Sequence, residues 1–317
     1  MGVVRRRQWS AARIPTSVQT VDRSETTMTA PTYPPLPTSR YTSELRHETA
    51  RFADAGRGLP LSEPVPTCPG WTLGDLVRHV RQGHDWATTI LTTRSTELIL
   101  PGADTAAGED KSWTERVAEL GAQEVAQESP IVDPGLRTRF LAEGADRLVE
   151  AVDGVGPEVP IWAPHGKQNM EFWPRWAVFE TAVHRADVYL MAGLPFELDN
   201  DVALDCVDFC VSAFGAPAAR PFLSPLFSEV PRGGQTLSFR STEPSAARAS
   251  NWLITCAPDG VRVTRNAPAG DAADATVVAT PSDLLLVVKG RLRPENPRMA
   301  VLGDRALLDF WLSHAIS

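Results

Sequence analysis

Residues 171–193 read EFWPRWAVFETAVHRADVYLMAG, and the fold turns on them. Their apolar residues recur at helical spacing and predict one long helix. Pro174 belongs in its first turn, where a missing N–H costs nothing. Gly193 is placed to close it. Glu180 and His184 stand four residues apart, about 40° around the axis and so on one face. Asp187 returns to that face. A carboxylate and an imidazole on successive turns form half of a metal site, of a kind that suits a divalent ion such as zinc. The same spacing also arises as a solvated ion pair on any charged helix. Trp176, Phe179, Val183 and Tyr189 flank it, which turns the face toward a bundle interior, where an unpaired carboxylate is costly.

A partner stretch lies upstream. CPGWTLGDLVRHV, residues 68–80, runs from a Pro-Gly turn into a second helix. Thr72 fits the N-cap, and Asp75 stands three residues on in a capping-box arrangement. Leu73, Leu76, Val77 and Val80 follow at helical spacing. His79 sits among them. If the two helices face each other, His79 completes a set of two histidines and one glutamate, and bundle interiors host metals in this way. Three protein ligands leave one tetrahedral position open, as in catalytic rather than structural zinc sites.

Further helices are expected over 42–56, ending near Gly56; more weakly over SWTERVAELGAQEVAQ (112–127); from Asp133-Pro134 through LRTRFLAEGADRLVEAV, with proline at the first helical position; and over 199–214. Beyond about 216, Gly, Pro and Ser break the helical pattern. QTLSFRST and NWLITCAPDGVRVTR read as strands, the second as a hairpin turning at Pro-Asp-Gly. ATVVATPSDLLLVVKGR and AVLGDRALLDFWLSHA each read as a strand followed by a helix. The expected architecture is a helical bundle over 41–215 and a small α+β domain over 216–317. Residues 1–40, rich in Arg, Ser, Thr and Pro, are expected to be a disordered extension. Met28 competes with Met1 as the true start.

The chain has 317 residues and a formal net charge of -8, with no basic stripe that would neutralise a phosphate backbone, so general nucleic-acid binding is not expected. No apolar run is long enough to span a membrane. The basic N-terminus lacks the apolar region of a secretory signal. Cys68, Cys206, Cys210 and Cys256 show no metal-knuckle spacing, and reduced thiols in a cytoplasm fit them best.

Three pieces of sequence together resemble the mycothiol-dependent maleylpyruvate isomerase family, which is related to DinB-like four-helix bundles. They are CPGWTLGDLVRHV, FETAVHRADVYLMAGLP, and SDLLLVVKGRLRP with VLGD. The resemblance implies a divalent metal, usually zinc, on His79, Glu180 and His184. It implies a C-terminal domain similar to sterol-carrier folds, and the low-molecular-weight thiol mycothiol as cofactor. The implied activity is isomerisation of an activated double bond or thiol S-transfer to a small electrophile. A non-catalytic metal- or ligand-binding module and a thiol-independent metal hydrolase are the alternatives. Arg291 is the candidate catalytic residue, binding a substrate carboxylate with its forked donors, with Lys289 and Arg293 as competitors. Asp187 either orients His184 or a bound water, or is a surface charge beside Arg185.

The remaining candidates have plainer readings. His84 points about 140° from His79 and so away from the site. His165 is read as a solvated loop residue, and His47 and His314 have no motif. Cys68 stands near a helix N-terminus, where a thiol can be reactive, but buried packing is the expectation. Cys206 and Cys210 are read as core filling rather than a redox pair. Trp71, Trp86, Trp162, Trp173 and Trp176 are read as core and cleft wall.

Overall fold

The computed structural model describes residues 34–99, 132–245, 247–267 and 273–315. The helix expected over 112–127 and residues 1–33 of the extension lie outside the described residues. Among the described residues five α-helices come first: α1 (Thr38–Gly56), α2 (Leu73–Thr93), α3 (Pro134–Asp153), α4 (Phe172–Ala192) and α5 (Asn200–Phe214). α1 packs against α3 and α4, and α2 packs against the same two helices from another side.

Local signals set their ends. Thr72 accepts from the Asp75 backbone N–H while the Asp75 side chain accepts from Thr72, a complete capping box. Asp133 caps α3 by accepting from the Leu136 backbone N–H. Such caps contribute about 1 kcal/mol each. Gly193 ends α4 at φ 67°, a left-handed conformation that glycine adopts without strain. α1 opens at Thr38, inside the stretch expected to be disordered. The reason is burial: Leu36 is covered, its N–H donates to the Tyr41 hydroxyl at 2.9 Å, and that hydroxyl donates to Asp205 at 2.7 Å.

The second half is a five-stranded mixed sheet in the order β3-β2-β1-β4-β5. Its strands are β1 (Thr236–Ser241), β2 (Asn251–Ala257), β3 (Gly260–Arg265), β4 (Ala275–Ala279) and β5 (Ala300–Gly303). β1 and β4 pair in parallel and the other neighbours are antiparallel. The hairpin of β2 and β3 turns at Pro258-Asp259, as the sequence predicts. α6 (Pro281–Val288) follows β4, and α7 (Arg305–Ala315) follows β5. At the β5 end Gly303 has φ 81°, and a Cβ there would lie 2.2 Å from the Asp274 carbonyl oxygen, so only glycine fits. None of the described helices is long and apolar enough to cross a membrane.

α5 packs on α6 and joins the two halves. One continuous set of buried apolar side chains runs from Leu45 and Trp86 through Phe179, Cys206 and Phe209 to Trp252, Leu285 and Trp311. A second, smaller set (Phe52, Leu73, Leu76, Val77, Val80, Leu141 and Val188) lies under the start of α2.

Asp208 on α5 fastens this junction. It accepts from Trp252 Nε1 at 2.9 Å, Arg265 Nε at 2.5 Å and Arg175 Nη2 at 3.1 Å. Burial alone would raise its pKa, but the Arg265 hydrogen bond and the Arg175 and Arg265 charges outweigh it and hold the carboxyl below its usual range. A depressed carboxyl stabilises the fold above the ordinary aspartate pKa of about 4, and the contribution disappears as pH falls through the lower folded value. Asp208→Asn is expected to cost about 2 kcal/mol at neutral pH. Its deficit against the parent should shrink below about pH 4 in urea titrations. A deficit independent of pH would rule out the charge as its source.

Candidate metal centre

α2 and α4 bring three donors to one point. His79 Nε2 lies 3.2 Å from Glu180 Oε1, and His184 Nε2 lies 3.3 Å from the same oxygen. The ligand atoms of the three residues all lie within 4.8 Å of one another. The capping box sets where α2 starts, which fixes the turn on which His79 falls. Leu76, Val77 and Val80 bury the adjoining face and leave His79 at its edge. On α4 the four-residue spacing stacks Glu180 and His184 as expected. Trp71, just before α2, meets His79 edge-on at 4.9 Å between centroids and stacks beside His184 at 6.3 Å. The side chains of His79 and Glu180 keep 28% and 25% of their surface, so the centre opens to solvent on that side, while His184 is buried at its back.

The charges are mutually arranged. Burial resists ionisation of Glu180, but hydrogen bonds from His184 and His79 outweigh it and hold the carboxyl well below the carboxylate range. Burial likewise opposes the charged form of His184. The bonds to Asp187, Cys68 and Glu180 win and raise it well above the usual imidazole value. His79 is pushed down, first by burial and then by the charge on His184. The charged form of His184 is thus favoured by its place between the Glu180 and Asp187 carboxylates. A divalent cation held by His79, Glu180 and His184 would take the place of the proton on Nε2. Two imidazole nitrogens and one carboxylate oxygen with a solvent-facing side match a divalent ion with an open position.

Behind His184 sits Asp187, fully buried. His184 Nδ1 lies 2.8 Å from Asp187 Oδ2, and Thr67 Oγ1 donates to Oδ1 at 2.6 Å. Arg291 donates to both oxygens, from Nε at 3.0 Å and Nη2 at 3.1 Å. Burial would raise the Asp187 carboxyl, but the His184 and Arg291 contacts hold it far below the usual range. Of its two expected readings, Asp187 has the one that orients His184. Arg291 does reach the centre from the sheet side, but its fork closes on Asp187 rather than on an open position. Arg293 is exposed, and Lys289 lies with Nζ 5.7 Å from the Phe179 ring.

Cys68 corrects an expectation. It is half-buried rather than packed away, with Sγ 3.5 Å from both Asp187 Oδ2 and Arg291 Nη2. Cys68, His184 and Asp187 form a second set whose ligand atoms lie within 4.8 Å of one another. Thr67 was not singled out for the site, and Trp71 was read only as core and cleft wall. The available signal was position, because the loop leading into α2 must pass the same helix end that presents His79. His165 is also corrected. It packs against Phe172 and Phe209 at 5.2 and 5.0 Å, and burial pushes its pKa down to about 4.

The other readings agree with the structure. His84 is buried outside the donor set, with Nε2 2.9 Å from Thr181 Oγ1, and burial lowers its pKa to about 4. His47 is exposed, and His314 stacks on Phe310 at 3.8 Å. Cys206 and Cys210 are core. Trp86 meets Trp173 and Trp176 edge-on at 4.9 and 5.5 Å in the bundle interior.

Residues 43–189, which include His79, Glu180 and His184, match the family model described as the mycothiol maleylpyruvate isomerase N-terminal domain. Among solved structures, a crystal structure of the mycothiol-dependent maleylpyruvate isomerase is similar over 84% of this chain and 93% of that one, at 13% identity and a TM-score of 0.53. A histidine-to-alanine mutant of the mycothiol-dependent maleylpyruvate isomerase aligns over 81% of this chain and 90% of its own, at 13% identity and a TM-score of 0.45. The first likeness speaks for a shared fold. No curated protein matches this chain by sequence. The match to the family model covers somewhat under half of the chain, residues 43–189, and the three donors all lie within it.

Proposed function

We propose that the protein is a mycothiol-dependent isomerase or thiol S-transferase acting on a small electrophile, with a divalent cation, zinc, held by His79, Glu180 and His184. The observation that carries this reading is the meeting of those three donors, from two separate helices, with one side left open. The match of residues 43–189 to the family model and a similar solved structure named as mycothiol-dependent support the thiol. In this reading residues 41–215 are a DinB-like four-helix metal-binding unit, and 216–317 a sterol-carrier-like unit. The free cysteines suit a reducing cytoplasm.

A divalent cation bound there supplies a Lewis acid that lowers the pKa of a thiol at the open position. The chain's own residues prepare the place. Asp187 holds the His184 proton at Nδ1 and leaves the Nε2 lone pair facing Glu180 and His79. The single carboxylate of Glu180 leaves a divalent site with net positive charge, which attracts an anionic sulfur. Trp71 packs beside both imidazoles.

Elemental analysis of purified protein is expected to find one zinc per chain. His79→Ala should lose most of it, and turnover should require mycothiol. Metal content unchanged by His79→Ala would refute the ligand assignment. Turnover without any thiol would instead indicate a metal hydrolase. Metal-replete protein that transfers mycothiol to no electrophile would indicate a binding module.

A further inference from the structure

The clamp on Asp187 comes from outside the helices that carry the donors. Arg291 follows the turn that ends α6, and its backbone N–H donates to the Leu286 carbonyl at 2.7 Å, which fixes the base of its side chain. Its Nη1 donates to the Lys289 carbonyl at 2.6 Å, so the guanidinium is held at a second point. The remaining edge makes the forked pair with Asp187, a geometry lysine cannot reproduce. Two donor sets overlap here and share His184: His79, Glu180, His184 and Cys68, His184, Asp187. While Asp187 accepts from Nδ1, that nitrogen has no lone pair to offer, and the ring presents Nε2 to Glu180 and His79. Released from Arg291, Asp187 and Cys68 would be free to act as ligands themselves, and a thiolate is a strong ligand for zinc.

We propose that Arg291 is the positioning residue of the cation centre: by clamping Asp187 it fixes the His184 ring toward Glu180 and His79, and it keeps the Cys68 set from competing for the ion. This rests on the metal-binding reading above. The metal centre in the helices is thereby made dependent on a residue of the sheet half.

The test is titration of the full chain with cobalt(II), followed by absorption, and with zinc against a chelator. The parent should bind cobalt without a near-ultraviolet sulfur-to-cobalt band. Arg291→Gln is expected to bind zinc roughly 10- to 100-fold more weakly, the range seen when groups that orient a ligand are lost, and to gain that sulfur band. Asp187→Asn should weaken zinc similarly, and the double variant should be no worse than either single one, because the residues act as a unit. Arg291→Lys keeps the charge without the fork. It should also lose affinity, and it carries the test if the glutamine variant does not fold. Arg291 variants with parental affinity and spectrum would overturn the proposal, as would a sulfur band already present in the parent. A parent that binds neither ion would overturn the metal-binding reading itself.

Discussion

Glu180→Gln should strip the cation from the centre and abolish turnover. Its Oε1 is the one oxygen that both imidazoles approach, at 3.2 and 3.3 Å, and Glu180 is the only anion in the set. The amide keeps the shape and loses the charge. It also turns a group that only accepts into one that half donates. Affinity for zinc should fall on the order of a thousandfold, about 4 kcal/mol, with the helical circular dichroism unchanged. Competition against a chelator reads the first quantity, and single-turnover rates with mycothiol read the consequence. A glutamine variant that kept both its metal and its rate would show that the carboxylate binds no ion.

The second large effect concerns stability. Arg185 on α4 donates from Nε to Glu48 on α1 at 2.5 Å, and neither side chain has any exposure. Arg185 also donates to the Glu197 carbonyl at 2.7 Å and stacks over Tyr189 and Phe196, 4.6 and 4.3 Å from the ring centroids. Deleting one partner leaves a charge in the interior without its counterpart, so Glu48→Ala and Arg185→Met should each cost about 3–5 kcal/mol. Replacing both by methionine removes both desolvation penalties. The double variant should therefore recover much of the loss. In urea denaturation the midpoints should move while the slopes stay constant. Single variants within about 1 kcal/mol of the parent would mean that the pair sits in a wetter place than its burial indicates.

Much of the helical half was legible because its signals are local. The Thr72–Asp75 box, Asp133-Pro134, Pro174 and Gly193 act within a few residues of themselves, and each marks an observed helix end. The hairpin at Pro258-Asp259 belongs to the same class. The approach of His79 to Glu180 does not, because 101 residues separate them and no periodicity reports which helices become neighbours. It was anticipated through resemblance, not spacing. The parallel pairing of β1 with β4 was hidden for the same reason. The shared neighbour of Cys68 and Arg291 was not legible from either residue alone. Each was read by its own chemistry, as packing or as a substrate anchor, while the structure gives both the same buried neighbour, Asp187. The early start of α1 was missed because Leu36 and Tyr41 find cover only on a helix far along the chain.

The apolar interior that passes through α5 without a break has a bearing on how the molecule comes apart. Phe209 packs against Phe172 and Phe179 of α4, while its neighbour Asp208 accepts from Trp252 of the sheet and Cys210 Sγ lies 3.9 Å from the Val288 carbonyl oxygen of α6. Neither half can therefore loosen without uncovering oil-like surface on the other, and melting should engage both together. Damage far out in the strands would then lower the melting temperature of the helices that carry His79, Glu180 and His184.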